Sequence, residues 1–240
     1  MIKSFDTDTS RLPMLKRDTL LVVAKQPQPG QTKTRLCPPL SHVQAADLYE
    51  CFLRDTLDLM RSVRGVHYRI GFLPESAQSY FHQLAPDMEL TCQCGNSLGE
   101  RLDHMLTEAL TRGSQRAVVM DSDSPTLPYR YISQAFDQLT HSDVVLGPTR
   151  DGGYYLIGMK QSQSHLLRQV QMSTPRVLAD TLALAESTGL TVSFLPTWYD
   201  VDTIVDLYQL DEEITRLSKN GGAVATRDWL ARTDWRDPRD

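Results

Sequence analysis

The sequence predicts an α/β protein: a mostly parallel sheet covered by helices. Short β-branched runs alternate along the chain with longer segments of helical period, the pattern of a sheet whose strands are joined through helices. The earliest run, Leu20-Leu21-Val22-Val23-Ala24, is apolar throughout, as a strand buried on both faces must be. No period of 20–50 residues recurs and no low-complexity tract interrupts the 240 residues, so one domain accounts for the chain.

Ser41 is placed to cap the next element, in which Ala46, Tyr49, Leu53, Leu57 and Met60 recur at the spacing of an amphipathic helix. A strand is expected over Val66 to Leu73 and a short helix over Glu75 to Leu84. A helix over Leu98 to Leu110 turns Leu98, Leu102, Met105, Leu106 and Ala109 inward, and Ala117 to Met120 is a strand ending in acid. Asp143 to Gly147 and Tyr154 to Met159 read as strands, and Thr174-Pro175 as a cap and first turn opening a helix to about Ser187. Val192 to Leu195 is the last strand. A helix over Thr203 to Leu217 is expected to close at Asn220-Gly221-Gly222. Residues 18–220 form the expected domain, with extensions at 1–17 and 221–240. Trp229 and Trp235 in the second extension can pack on the domain or on a second copy of the chain, so a homodimer is carried as an expectation.

Composition narrows the function. No stretch approaches the roughly 18 apolar residues of a membrane span, and the N-terminus lacks the apolar run of a secretory signal. A cytoplasmic protein is expected. Twenty-five Lys and Arg against thirty Asp and Glu, a net charge of −5, give no basic excess for nucleic acid. Cys37, Cys51, Cys92 and Cys94 are few, and Cys92-Gln93-Cys94 is too tight for a paired zinc knuckle. The six histidines are scattered without metal-ligand spacing, and no Gly-x-Ser-x-Gly elbow announces a serine hydrolase.

Three loops carry chemistry. Lys25-Gln26-Pro27-Gln28-Pro29-Gly30-Gln31-Thr32-Lys33-Thr34-Arg35 lies where a strand hands over to a helix, where exposed backbone N–H groups and a helix dipole receive phosphates. No Asp or Glu occurs from residue 19 to 46, while Lys25, Lys33 and Arg35 do. That local inversion suits an anionic ligand, against the blander reading of a solvated basic loop. Lys33-Thr34 imitates the end of a P-loop, but Thr32 stands where that signature needs Gly. The second loop, Asp121-Ser122-Asp123-Ser124-Pro125, follows a strand. Asp121 and Asp123 share one face of an extended segment, and two close carboxylates repel unless a cation separates them. Mg²⁺ or Mn²⁺ is the natural partner; an Asp/Ser/Pro turn is the alternative. The third loop, Asp200-Val201-Asp202-Thr203, repeats the spacing, with Asp202 as helix cap the competing explanation. Between them, Asp151-Gly152-Gly153-Tyr154-Tyr155 combines glycines that admit close approach with tyrosines that can form a wall. A hairpin turn explains the same residues equally well.

The ordered motifs Ala24-Lys25-x-Pro27-x-Pro29-Gly30-x-x-Lys33-Thr34-Arg35-Leu36, Leu98-Gly99-Glu100-Arg101, Ser122-Asp123-x-Pro125-x-Leu127, Asp151-Gly152-Gly153-Tyr154-Tyr155 and Asp200-Val201-Asp202-Thr203 cover roughly residues 20–210. Together they resemble a bacterial family of GT-A-type transferases that is similar to phospholactate guanylyltransferase. The resemblance implies a three-layer α/β/α nucleotide-diphospho-sugar transferase fold with a mixed sheet and a nucleotide at its N-terminal half. It implies phosphate contacts for Lys25, Gly30, Lys33, Thr34 and Arg35, with Lys25, Lys33, Arg35 and Asp123 catalytic. Metal binding falls to Asp123 with Asp121, Asp200 and Asp202, and substrate contacts to Glu100, Arg101, Asp151, Gly152, Gly153 and Tyr154. Asp151 is also a candidate base. The family's acidic residue before Leu98 is Ser97 here, and its aromatic residue before Ser173 is Met172. A nucleotide or nucleotide-sugar donor and a small acceptor are the expected partners. Three cations in the first loop favour nucleotidyl transfer from a triphosphate; glycosyl transfer and a non-catalytic nucleotide-binding module are the alternatives.

Overall fold

Strand β1 (Asp18–Lys25) is buried except at half-buried Val23 and exposed Lys25, because it lies between β2 (His67–Leu73) and β4 (Arg116–Met120), parallel to both. The structure, a computed structural model, describes residues 18–217 and 222–236. The expected extension at 1–17 and the Asn220-Gly221 helix stop lie outside those residues. The sheet adds β3 (Glu89–Cys92), β5 (Val144–Pro148), β6 (Tyr154–Met159) and β7 (Val192–Phe194) in the order β3-β2-β1-β4-β6-β5-β7. β6 runs antiparallel to both neighbours and every other pairing is parallel, so the sheet is mixed and mostly parallel. Between β1 and β4 the strand order reverses, which opens a crevice at the carboxyl ends of the strands.

Helices cover both faces. On one lies α1 (His42–Ser62), opened by the expected Ser41: its Oγ accepts from Gln44 N at 3.2 Å, and Gln44 Oε1 accepts from Ser41 N at 2.8 Å. The same core holds residues of α2 (Gln78–Leu84), α4 (Tyr129–Gln138), α7 (Ile204–Arg216) and α8 (Val224–Arg232). The other face carries α3 (Leu98–Thr111), α5 (Ser164–Arg168) and α6 (Val177–Ser187). Gly99 lets α3 meet α5, since a Cβ there would lie 2.0 Å from Leu167 O.

Several elements depart from expectation. The helix over Glu75 to Leu84 begins as a 3₁₀ turn, Glu75–Ala77, and only then becomes α2. The α-helical bonds of α6 start at Val177, one turn after the expected Thr174-Pro175: the Thr174 hydroxyl accepts from Arg176 N at 3.4 Å as a cap does, and Val177 N bonds to Thr174 O at 3.2 Å to close a tighter first turn. The segment set aside as a C-terminal extension belongs to the core. Asp55 of α1 accepts from Ala225 N at 2.9 Å and Thr226 N at 2.8 Å, capping α8. Trp229 is buried, and Trp235, 1% exposed, packs against Tyr208.

β3 is held by charge. Arg69, 2% exposed, reaches Glu89 at 3.3 Å and Glu108 at 3.2 Å, with Arg112 and His67 also on Glu89. Burial works against the Glu89 carboxylate, yet His67, Arg112 and Arg69 outweigh it and hold its pKa below the usual range. A depressed carboxylate adds stability above its unfolded pKa of about 4.3 that disappears as pH falls through the folded value. Glu89→Gln should therefore cost about 1–3 kcal/mol at pH 7. The gap from the parent should close as urea unfolding is repeated at progressively lower pH; a gap independent of pH would refute this account.

Candidate active site

The crevice is a cleft of about 930 Å³ lined from both faces of the sheet. Its floor is the end of β4. Ser122 Oγ donates to Val23 O at 3.0 Å, which leaves the Tyr49 hydroxyl, 2.9 Å away, to donate to it; Tyr49 in turn accepts from Lys25 N at 3.2 Å. Burial, then Asp123, pushes the Tyr49 phenol up to about 12, so it remains a neutral donor. This chain fastens the first and second loops together. The third joins them through Val201 N to Asp123 O at 3.0 Å and Ser124 Oγ to Asp200 Oδ1 at 3.0 Å. The two acidic loops thus converge, and all four acids line the cleft.

The acids fall into two pairs. Burial and the neighbouring Asp200 and Asp123 push the Asp121 carboxyl well above the usual range, and burial and Asp123 push Asp200 up to about 6. Asp121 Oδ1 also accepts from Asp123 N at 3.1 Å. Asp123 and Asp202 instead grip one ammonium: Lys33 Nζ lies 2.7 Å from Asp123 Oδ1 and 2.9 Å from Asp202 Oδ1. The Lys33 side chain is 7% exposed, with Nζ 5.9 Å from the centre of the Phe52 ring. Burial opposes its charge, but the two carboxylates prevail and raise its pKa. Burial likewise opposes the Asp202 charge, and Lys33 and Arg35 hold that carboxyl below the usual range. Asp202 is not the cap of α7. Thr203 is, its hydroxyl accepting from Asp206 N, which frees Asp202 to face the cleft.

The expected four-carboxylate set is therefore divided by Lys33: among the described residues, no group of three or more His, Cys, Asp and Glu side chains is arranged to hold a metal ion. Its chemistry nevertheless fits a hard divalent cation, since all four donors are carboxylate oxygens and Asp121 and Asp200 are raised first by burial and then by neighbouring carboxylates, both of which a bound cation offsets.

Other expected residues divide similarly. Lys25, Thr34 and Arg35 line the cleft, Arg35 being 73% exposed and 3.4 Å from Asp202 Oδ2. Gly30 turns the loop at φ 75°, outside the lining. Arg101, Asp151, Gly153 and Tyr154 line it as well. Glu100 does not; its Oε2 accepts from Asn96 N at 2.7 Å ahead of α3. The Asp151 to Gly153 segment is a hairpin tip between β5 and β6, in which Asp151 Oδ1 accepts from Thr149 Oγ1 at 2.6 Å and Gly153 N at 3.1 Å. Gly152 sits behind that tip, against Pro175. Tyr155 is almost wholly buried, its hydroxyl donating to Pro196 O at 3.0 Å, yet it lines the cleft together with Tyr154, so both tyrosines contribute to the wall. Sequence reasoning missed Tyr49, Ser122 and Gln93. Gln93 lines the cleft while its Nε2 donates to Gly71 O at 2.8 Å, and its Cys-Gln-Cys context carries no signal of that role.

Known proteins agree with this architecture. The family model described as "Uncharacterized protein conserved in bacteria (DUF2064)" matches residues 56–174, a span that holds Asp121 and Asp123 but neither the first loop nor Asp200 and Asp202. A candidate nucleotide-diphospho-sugar transferase from Desulfovibrio desulfuricans G20 is 31% identical, with 91% of this chain and 95% of that chain covered and a TM-score of 0.84. A cytidylyltransferase from Leptospira borgpetersenii serovar Hardjo-bovis shares the fold at 14% identity, covering 90% and 94% of the two chains, with a TM-score of 0.58. So does a 4-diphosphocytidyl-2C-methyl-D-erythritol synthase from Anaerococcus prevotii DSM 20548, at 12% identity, 85% and 99% coverage and a TM-score of 0.56. No curated protein matches with significant similarity. By its match to the family model and its similarity to the Desulfovibrio protein, the chain belongs to the bacterial DUF2064 family and has a nucleotide-diphospho-sugar transferase-like fold.

Proposed function

We propose that this chain is a nucleotide-using transferase that moves a nucleotidyl group from a nucleoside triphosphate to a small phosphate- or carboxylate-bearing acceptor. The observation that carries the reading is the facing of Lys25, Lys33 and Arg35 against four carboxylates in one cleft at the sheet's switch point. In the reaction an acceptor oxygen bonds to the α-phosphorus as the bond to the bridging oxygen breaks and pyrophosphate leaves. Charge builds on the leaving group, where fixed cations act most effectively. Lys33 holds Asp123 and Asp202 in place, and Lys25 and Arg35, with little or no carboxylate contact, meet the phosphates. Asp121, Asp123, Asp200 and Asp202 would hold Mg²⁺ or Mn²⁺, which when bound neutralises phosphate oxygens. No helix among the described residues is long and apolar enough to cross a membrane.

Glycosyl transfer from a nucleotide sugar is the second reading, favoured by the description of the Desulfovibrio relative. Incubation with each nucleoside triphosphate, Mg²⁺ and a panel of acceptors should release pyrophosphate. Consumption of a nucleotide sugar with all triphosphates inert would select the second reading instead. Asp123→Ala should abolish metal-dependent nucleotide binding in calorimetric titration while preserving the melting transition, because Asp202 keeps Lys33 paired. Unchanged binding would remove the metal proposal.

A further inference from the structure

The cleft has a second cationic centre that the phosphate-binding loop does not use. Arg101 stands in the first turn of α3, on the sheet face opposite α1, and lines the cleft with Leu98, Leu102, Tyr154 and Met172. Met172 ties this wall together: its Cε lies 3.5 Å from where a Gly99 Cβ would be, and its Sδ 3.7 Å from the Tyr154 hydroxyl. Among the described residues Arg101 has no carboxylate partner, whereas Arg168 on the same face is paired with Asp103. The Arg101 Nε–H is moreover buried with no hydrogen-bond acceptor. Buried donors in folded proteins are nearly always paired, so its acceptor is to be sought in a ligand.

We propose that Arg101 binds an oxyanion of the acceptor, a carboxylate or phosphate, against the apolar wall of Leu98, Leu102, Met172 and Tyr154. This deepens the transferase reading and rests on it for the word acceptor. A guanidinium offers two parallel N–H groups to such a group, a fork that suits carboxylate and phosphate equally. Arg101 on α3 and Lys33 beside Phe52 of α1 belong to opposite faces of the sheet, which gives each substrate its own cationic site. The apolar wall selects an acceptor whose anionic end adjoins a hydrophobic portion.

The Arg101 Nε–Hε resonance of ¹⁵N-labelled protein, assigned by its loss in Arg101→Met, reports directly on this site. The protein is saturated with a non-hydrolysable nucleoside triphosphate and titrated with inorganic phosphate or with acetate. The resonance should move with added anion; a response to phosphate alone identifies a phosphorylated acceptor, and a response to acetate a carboxylate. Arg101→Met should weaken the anion about ten- to a hundredfold and leave triphosphate affinity within about twofold, as loss of a charged hydrogen bond at one site implies. A resonance that no anion moves, or one that the triphosphate moves and further anion does not, overturns the assignment. Where Arg101→Met fails to fold, Arg101→Lys, which keeps the charge but lacks the Nε–H, supplies the assignment and the wild-type titration then decides. Anion response in a protein that binds no triphosphate would sink the nucleotide reading and leave the oxyanion site standing.

Discussion

Lys33→Met should lower folding stability by about 2–4 kcal/mol at neutral pH and abolish nucleotide binding. The ammonium is 7% exposed and sits within 2.9 Å of two carboxylates from different loops. Removing it leaves Asp123 and Asp202 facing each other across a gap lined by Phe52 and forces water or a proton into that space. Both carboxylates are more than a third exposed, or nearly so, which keeps the cost below that of a wholly buried pair. Binding suffers separately, since the acids then repel the triphosphate that Lys33 would have balanced. Urea unfolding and calorimetric titration with nucleotide measure the two effects. Lys33→Arg separates them: it restores charge, and with it much of the stability, without the compact ammonium geometry. Wild-type stability in Lys33→Met would mean that the paired acids carry no net charge to balance.

Gly152→Ala should cost about 2–4 kcal/mol, enough to lower the melting temperature by roughly 4–16 °C. Two penalties combine. The residue has φ 93°, a conformation that L side chains rarely adopt, and its Cβ would come within 2.1 Å of Pro175 O, a backbone atom that cannot rotate away. The hairpin tip would have to lift from the start of α6, breaking the bond from Leu178 N to Gly152 O at 2.9 Å. Asp151, Gly153 and Tyr154 would shift with it, so acceptor affinity should fall more than donor affinity. Gly153→Ala is the control, because a Cβ there meets only the ends of Thr149 and Asp151, at 3.0 and 3.4 Å. Equal melting temperatures for the two variants would refute the argument.

The parts of the fold that could be read from sequence are those whose residues declare their own environment. β1 is apolar because it is covered twice, and Ser41 with Gln44 is a local capping signal that the structure keeps. β3 was missed because its four residues are all half-buried and are held by Arg69, Arg112 and His67 from elsewhere, so no apolar run marks it. α4 carries its own signal, the apolar spacing of Ile132, Ala135 and Phe136 after Pro128. The extension containing α8 looked peripheral because its anchor, Asp55, is distant in the chain and reads as an ordinary polar position of α1.

The site followed the same rule. Residues at strand ends, Asp121, Asp123, Asp200 and Asp202, were legible from position and spacing, and they do meet. Their division into two pairs was not, because it depends on Lys33, 169 residues before Asp202 and held in a left-handed conformation by its loop. Gly152 and Glu100 were assigned to substrate because motif residues look alike on paper; one is demanded by packing and the other by the turn ahead of α3.

The reversed strand has an outcome beyond sheet order. Because β6 runs back against β4 and β5, the chain returns to the cleft through a five-residue tip, 149–153, where a parallel successor would have needed a crossover of a dozen residues or more. A tip of this kind can change length at small entropic expense, about 0.6 kcal/mol for each doubling, without altering strand order or handedness. The acceptor side of the cleft is thereby open to revision by insertion or deletion, while the acids and Lys33 sit in other loops, those that follow β1, β4 and β7. Divergence in substrate among proteins with this architecture should be written in the length and sequence of that tip before it is written anywhere in the sheet.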